Sequence, residues 1–439
     1  MYLKLRQIFY LFIGAEIIFI FVLVSLGCFN YNNNIYSIVL FAISFGEYLY
    51  VIYSYNKKDM QLMLIFICAY IVRCLLIYYD VNIHEIDPGD SAAFRAGGEY
   101  FFYHNILMFR GRILKGFGTI LLMGIINKIF GPQRFIVQYC GSLCFIGSAI
   151  ITNQLLKRYN VKRSIRYVLI SWMLFTPQNI KNTSLSGREG FIQLFIAVSL
   201  YFTFMWTEHR RKRYMIGIVV PLILAMCMHS GTAGIVAGYV VWLAFYDKRR
   251  KKLSIKGKTV LVLLFSVIFL LIIYSRFSDV LFGKFSNLES ITDIAKSSIS
   301  SGYGGSGYSI PGSDADSIPK IILYSPLRMI YFLLSPMPWD WRGLMDAIAF
   351  MICSVPLLII AVQFVKKVIF GNRHKYSREK SIIIALMASA FACAFIFGWG
   401  CQNAGTAIRH RDKFLSLYVI ILGFLSKLDE KTGKAFFIK

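Results

Sequence analysis

Asp87 and Asp90 stand three residues apart in HEIDPGDSAAF, residues 84–94, an acidic stretch in a basic and apolar chain. Two carboxylates at that spacing, turned by Pro88 and Gly89, can share a divalent cation such as Mg or Mn. They can also serve as a general base and its orienting partner. Asp90 followed by SAAFRAGGEYF also reads as a helix N-cap, and one residue can do both. Arg188 and Glu189 sit together in SLSGREGFIQLF, residues 184–195, where a loop enters an apolar run. Ionisable groups in such a place contact substrates or lipid headgroups, and a carboxylate there also suits a helix N-terminus. IRHRDK, residues 408–413, gathers Arg409, His410, Arg411 and Lys413. Arginine forks match phosphate oxygens, so Arg409, His410 and Arg411 are candidate phosphate ligands; the bland reading is an anchor of snorkelling side chains. Arg95, Arg110, Arg112 and His229 complete the candidate binding set, with a buried structural histidine as the alternative for His229. Asp314 and Asp316 spell DxD in a Gly- and Ser-rich loop and read as solvated.

These residues need elements to hold them, and the composition says which. Of 439 residues 57% are hydrophobic and only 16% charged, with a mean hydropathy of +0.60. Apolar runs of membrane-crossing length recur, as in LMLIFICAYIVRCLLIYY at 62–79. The expected fold is all-α and polytopic, one transmembrane domain over 1–439. About twelve spans are expected, near 8–27, 35–55, 60–79, 135–156, 164–177, 189–206, 214–229, 231–246, 258–275, 343–365, 380–398 and 413–427.

The net charge of +26 falls mostly in short clusters between those runs, namely KRYNVKR, EHRRKR, DKRRKKLSIKGK and KKVIFGNRHKYSREK. That is the pattern of cytoplasmic loops and excludes a nucleic-acid partner in this reading. Both termini are then cytoplasmic in a multi-pass protein of the plasma (inner) membrane, and the run after MYLKLRQ is a retained helix. The mixed acidic and basic groups face outward. Two long outer loops result, 80–134 and 276–342, the second partly flexible through SSISSGYGGSGYSIPGSDAD. Residues 116–131 and 321–335 read as interfacial or re-entrant helices. Glu16, Glu47 and Arg73 fall within spans and read as a structural ion pair among the first three helices. The nine cysteines lack metal spacing and read as small core residues.

An outward face carrying carboxylates and arginines suits transfer from a lipid phosphate, with the carboxylate taking a hydroxyl proton and the arginines stabilising the leaving phosphate. The order of features resembles the GT-C class of membrane glycosyltransferases over about 80–205. It runs from Asp87 and Asp90 through IINKIFG at 125–131 and LLKRYN to FTPQNIKNTSLSGREG. The run GTAIRHRDKF is similar to one in many such enzymes and in bacterial surface-polysaccharide polymerases. The resemblance implies a polyprenyl-(di)phosphate-linked sugar donor, a glycan or lipid-linked acceptor, and contact with membrane lipids. It implies Asp90 with Asp87 as base or metal ligand, Glu189 as a second acid, and Arg409 and Arg411 as phosphate ligands. The activity expected is that of a transferase or polymerase in cell-envelope polysaccharide synthesis. A lipid-linked oligosaccharide flippase is the alternative, and a non-catalytic assembly protein a third reading. A flippase would need a polar path, whereas the charges within spans are confined to the first three helices.

Overall fold

In a computed structural model the described residues are 59–86, 90–104, 117–132, 134–247, 252–254, 306–308, 317–371 and 377–430, with 261, 268 and 310. These residues are mostly helical. In chain order the helices are α1 Met60–Asn82, α2 Asp90–Tyr103, α3 Phe117–Phe130, α4 Arg134–Arg158, α5 Arg163–Phe175 and α6 Pro177–Ser184. They continue as α7 Glu189–His209, α8 Arg213–Met228 and α9 Ile235–Phe245. After a two-stranded pair, β1 Tyr246–Asp247 and β2 Lys252–Leu253, come α10 Ile318–Leu334, α11 Leu344–Ala349, α12 Val355–Phe364, α13 Ser377–Gly400, α14 Ala404–Asp412 and α15 Leu415–Glu430. Helices α11 and α12 run on through two π-helical turns as one apolar rod, Leu344–Ile369.

Among the described residues five helices are long and apolar enough to cross a membrane: Met60–Asn82, Arg134–Arg158, Glu189–His209, Leu344–Ile369 and Arg378–Gly400. At 1.5 Å per residue each exceeds the roughly 30 Å of a hydrocarbon core. The spans expected near 164–177, 214–229, 231–246 and 413–427 coincide with shorter helices, such as the 13 residues of α5 and the 16 of α8. Helices of that length reach only about 20–24 Å. The expected spans 8–27 and 35–55 lie outside the described residues, as does nearly all of 258–275. The two stretches expected to be interfacial are helical, as α3 and α10.

Ends are set locally. Asn160, with φ of 54°, closes α4, and Val161 N–H reaches back to Leu156 O at 3.0 Å. That left-handed cap turns KRYNVKR into a tight corner before α5. Gly131, with φ of 83°, ends α3 in the same region of backbone space.

The chain divides into two compact units. The first is formed by 1–112, 119–146 and 180–190. Within it α2 packs on α3 so closely that a Cβ on Gly124 would lie 1.8 Å from the Phe101 ring. Gly190 likewise lets its helix touch the backbone of α4, where a Cβ would meet Gly141 O at 2.0 Å. The second unit is formed by 113–118, 147–179 and 191–439. Here α13 packs against α9, α10 and α15, and α15 also against α5 and α12. From Leu415 to Leu425 every residue of α15 is buried, as a helix apolar all round must be. The expected span at 413–427 is thus enclosed by other helices.

Candidate functional site

The first unit gathers charge where α1 ends. Asp80 lies in the last turn of α1, its side chain fully buried. A carboxylate without water must be met by donors. Ile86 N–H donates to its Oδ1 at 2.8 Å, Gln138 Nε2 donates to Oδ2 at 2.6 Å, and Arg134 Nη2 donates to the same Oδ2. Arg134 opens α4, and a cation at a helix N-terminus opposes the helix dipole. Its two carboxylate partners, Asp80 and Glu85 at 3.3 Å, offset that cost.

Glu85 belongs to the acidic stretch that follows α1. Its Oε1 also accepts from Arg95 Nη1 at 3.2 Å, and Arg95 Nε faces Glu99 one turn on at 3.9 Å. Two arginines therefore share three carboxylates, and Glu85 bridges both cations. Beside them lies a small, partly enclosed cleft of about 10 Å³, room for a single water, lined by Arg95, Glu99, Met123, Asn127, Pro132, Arg134, Val137 and Ser186. Ser186 Oγ and Arg134 Nε are buried and have no hydrogen-bond partner among the described residues. The same holds for buried groups elsewhere among the described residues, such as Gln193 Nε2 and Tyr418 Oη.

The second candidate stretch meets the first. The Arg188 guanidinium lies 5.0 Å from the centre of the Phe94 ring, beside Arg95. Glu189 is buried at the start of α7 and folds its carboxylate over Gly187, whose Cβ would sit 2.5 Å from Glu189 Oε2. Arg73, buried within α1, donates Nε to Thr183 Oγ1 at 3.1 Å and rests on the Phe145 ring at 4.4 Å. Ser142 Oγ donates to Thr183 O at 2.9 Å. The expected partners of Arg73, Glu16 and Glu47, lie outside the described residues. So do Asp87, Arg110 and Arg112. Asp90 is the first residue of α2, one position inside the N-cap place that the sequence reading gave it. Among the described residues no group of three His, Cys, Asp or Glu side chains is placed to hold a metal ion. The eight described cysteines are all free thiols.

The late basic run lies in the second unit, and its members differ from one another. His229 and His410 bring their rings together at 4.8 Å, with Phe397 packed against both. Lys413 Nζ donates to His410 Nδ1 at 2.7 Å, and Gly231 N–H donates to His229 Nδ1 at 3.2 Å. Each histidine thus has Nδ1 as an acceptor and Nε2 as its proton-bearing atom. Arg409 is half-buried. Arg411 is enclosed: it donates to Leu333 O, to Ser335 O at 2.6 Å and to Ser354 Oγ at 3.1 Å. Burial lowers its pKa from the ordinary arginine value, which Asp412 and nearby phenols oppose. Both terminal nitrogens of Arg411 are engaged in bracing the Ser335 turn, which leaves Nε as its one atom without a hydrogen-bond partner among the described residues.

Sequence reasoning passed over Asp80, Glu99, Arg134, Gln138 and Ser186. Two signals were available: a carboxylate at the last turn of an apolar run, and an arginine at a helix start where the dipole disfavours it. No known protein family, curated protein or solved structure matches this chain.

Proposed function

We propose that the chain is an integral membrane glycosyltransferase or polysaccharide polymerase. It takes a sugar or oligosaccharide from a polyprenyl-(di)phosphate donor and passes it to a glycan or lipid-linked acceptor. The reaction lies on the outer side of the plasma membrane, in a bundle of about twelve spans with both ends cytoplasmic. The observation that carries this is the cluster of ion pairs among Asp80, Glu85, Arg95, Glu99 and Arg134 at the end of a membrane-length apolar helix.

Transfer needs few parts. An acceptor hydroxyl attacks the anomeric carbon, the carbon–oxygen bond to phosphate breaks, and the phosphate leaves with the electron pair. A carboxylate takes the hydroxyl proton. Asp90, at the start of the helix that carries Arg95 and Glu99, is the proposed base, with Glu99 one alternative. Arg95 and Arg134 are the proposed phosphate contacts. Glu85 holds both cations in register until the donor displaces it.

The test is a strain lacking the chain, complemented with wild type, Asp90→Asn or Arg134→Gln at matched membrane levels. The expected result is loss of long glycan in both variants, with lipid-linked precursor accumulating on the outer leaflet. The glycan length distribution separates one-sugar transfer from polymerisation. Precursor held on the inner leaflet would identify a flippase instead, and unchanged glycan would overturn the site.

A further inference from the structure

Within the second unit a single 3-10 turn, Pro338–Asp340, lies between α10 and the apolar rod that starts at Leu344. Its sequence, PWDW at 338–341, sets a carboxylate between two indoles. Trp339 is 70% exposed, yet its ring is fixed, because Nε1 donates to Tyr331 Oη at 3.2 Å. The indole spends its one donor on the protein and leaves its faces open. Tyr331 in turn lies against Tyr308, with ring centres 5.0 Å apart. Trp341 is used differently. Its Nε1 donates to Pro336 O at 3.1 Å, and its ring packs edge-on against Phe350 of the rod.

Three segments far apart in sequence are tied together here. Tyr308 N–H donates to Gln402 O at 3.0 Å, and its hydroxyl donates to Cys401 O at 3.1 Å. Ala404 N–H donates to Ser306 O at 3.0 Å, and Arg342 Nη2 donates to Gly307 O at 2.8 Å. Backbone that is neither helix nor closed barrel does not face hydrocarbon. The aromatic stack therefore stands at the level of the connecting loops, beside Ser306 and Asn403, rather than along the rod.

Polar groups complete it. Tyr331 Oη accepts from the indole and keeps its own hydrogen to donate. Asp340 has Oδ2 enclosed and without a hydrogen-bond partner among the described residues. Burial raises its pKa above the ordinary aspartate value, and Arg342 opposes that shift. An open aromatic face, a hydroxyl donor and a carboxylate acceptor on neighbouring residues match one class of ligand. A pyranose has a face of C–H groups and a rim of hydroxyls that both donate and accept. A lipid chain would leave the enclosed carboxylate oxygen with nothing to bond.

We propose that Trp339, Tyr331 and Asp340 form a saccharide-binding shelf. A pyranose of a glycan chain stacks on the Trp339 face, and hydroxyls of the chain bond to Tyr331 Oη and Asp340. The proposal rests on the transferase reading only for which glycan is bound, and the binding itself requires no transfer.

The experiment uses the full chain in nanodiscs, with oligosaccharides cut by mild acid from the envelope polysaccharide of the cells that carry it. Binding is read by calorimetry. Trp339→Ala is expected to bind about tenfold more weakly than wild type, and Trp339→Phe, which keeps a ring, within about threefold. Asp340→Asn is expected to bind about fivefold more weakly. Melting temperatures should match wild type, because Trp339 is mostly exposed. In nanodiscs with brominated acyl chains, Trp339 emission, taken as the difference between wild type and Trp339→Phe, should stay unquenched. Quenching would place Trp339 in the aromatic belt of the membrane and overturn the proposal. No binding by wild type, or wild-type affinity in Trp339→Ala, would overturn it as well. A chain that binds the saccharide in cells that make their glycan without it would keep the shelf and remove the transferase reading. A chain needed for the glycan that binds none would do the reverse.

Discussion

Arg134 in the first unit and Arg411 in the second both sit at helix ends, and both have most of their guanidinium out of water. Their partners differ. Arg134 is held by carboxylates, one enclosed on Asp80 and one about a third exposed on Glu85. Arg411, in the last turn of α14, is held by two backbone carbonyls and a serine hydroxyl. A carboxylate on a mobile side chain can be exchanged for another anion. Backbone carbonyls cannot move away without unfolding the turn that bears them. Two arginines of the same type near membrane helices are thus put to opposite uses, one open to exchange and one fixed.

The largest expected effect breaks the fixed member. Arg411→Met leaves Leu333 O buried without its side-chain donor and strips one partner each from Ser335 O and Ser354 Oγ, which keep the 3.2 Å bond between them. An unmet buried group costs about 1–3 kcal/mol, so the expected loss is about 3 kcal/mol, read as a lowered melting temperature in detergent. A variant that melts like wild type would remove the bracing role. Asp80→Asn attacks the enclosed side of the other arginine. It removes the charge opposite Arg134, and because Arg134 is part-exposed we expect about 2 kcal/mol, below the range for fully buried pairs. The same melting assay reads it, and a loss as large as that of Arg411→Met would show that Arg134 is fixed too.

Glu85→Gln touches only the exchangeable contact. Exposed pairs contribute about 1 kcal/mol or less, so melting should barely move while transfer changes, measured as glycan made per unit of protein. A large fall in melting with no change in glycan would reverse the assignment. The smallest effect is expected for Glu99→Gln, whose ion pair with Arg95 is long at 3.9 Å. Stability should stay within a few tenths of a kcal/mol, and a slower transfer would mark Glu99 as a proton acceptor.

Much of the site's makeup was readable one residue at a time. The acidic stretch after the first described span was visible as an exception in a basic chain, and a helix does begin at Asp90. Arg188 and Arg95 were visible as ionisable groups beside apolar runs, and the structure brings their neighbourhoods together through Phe94. The burial of Arg411 was not legible, because spacing shows that arginines cluster, whereas packing decides which of them are enclosed. Arg134 and Asp80 were passed over because their meaning is mutual: 54 residues separate them, and neither has a motif.

The sequence by itself determined the helical character, the membrane-length apolar runs and the ends of the helices. Those follow from side-chain hydropathy, from the 1.5 Å rise per residue and from local caps such as Asn160 and Gly131. The tertiary structure decided which apolar helices are enclosed by protein, as α15 is, and which are long enough to cross alone. It also decided which cations are matched by carboxylates and which by carbonyls. Pairing and burial are relations between distant parts of the chain, and a polar group's free energy depends on its partners as much as on its type.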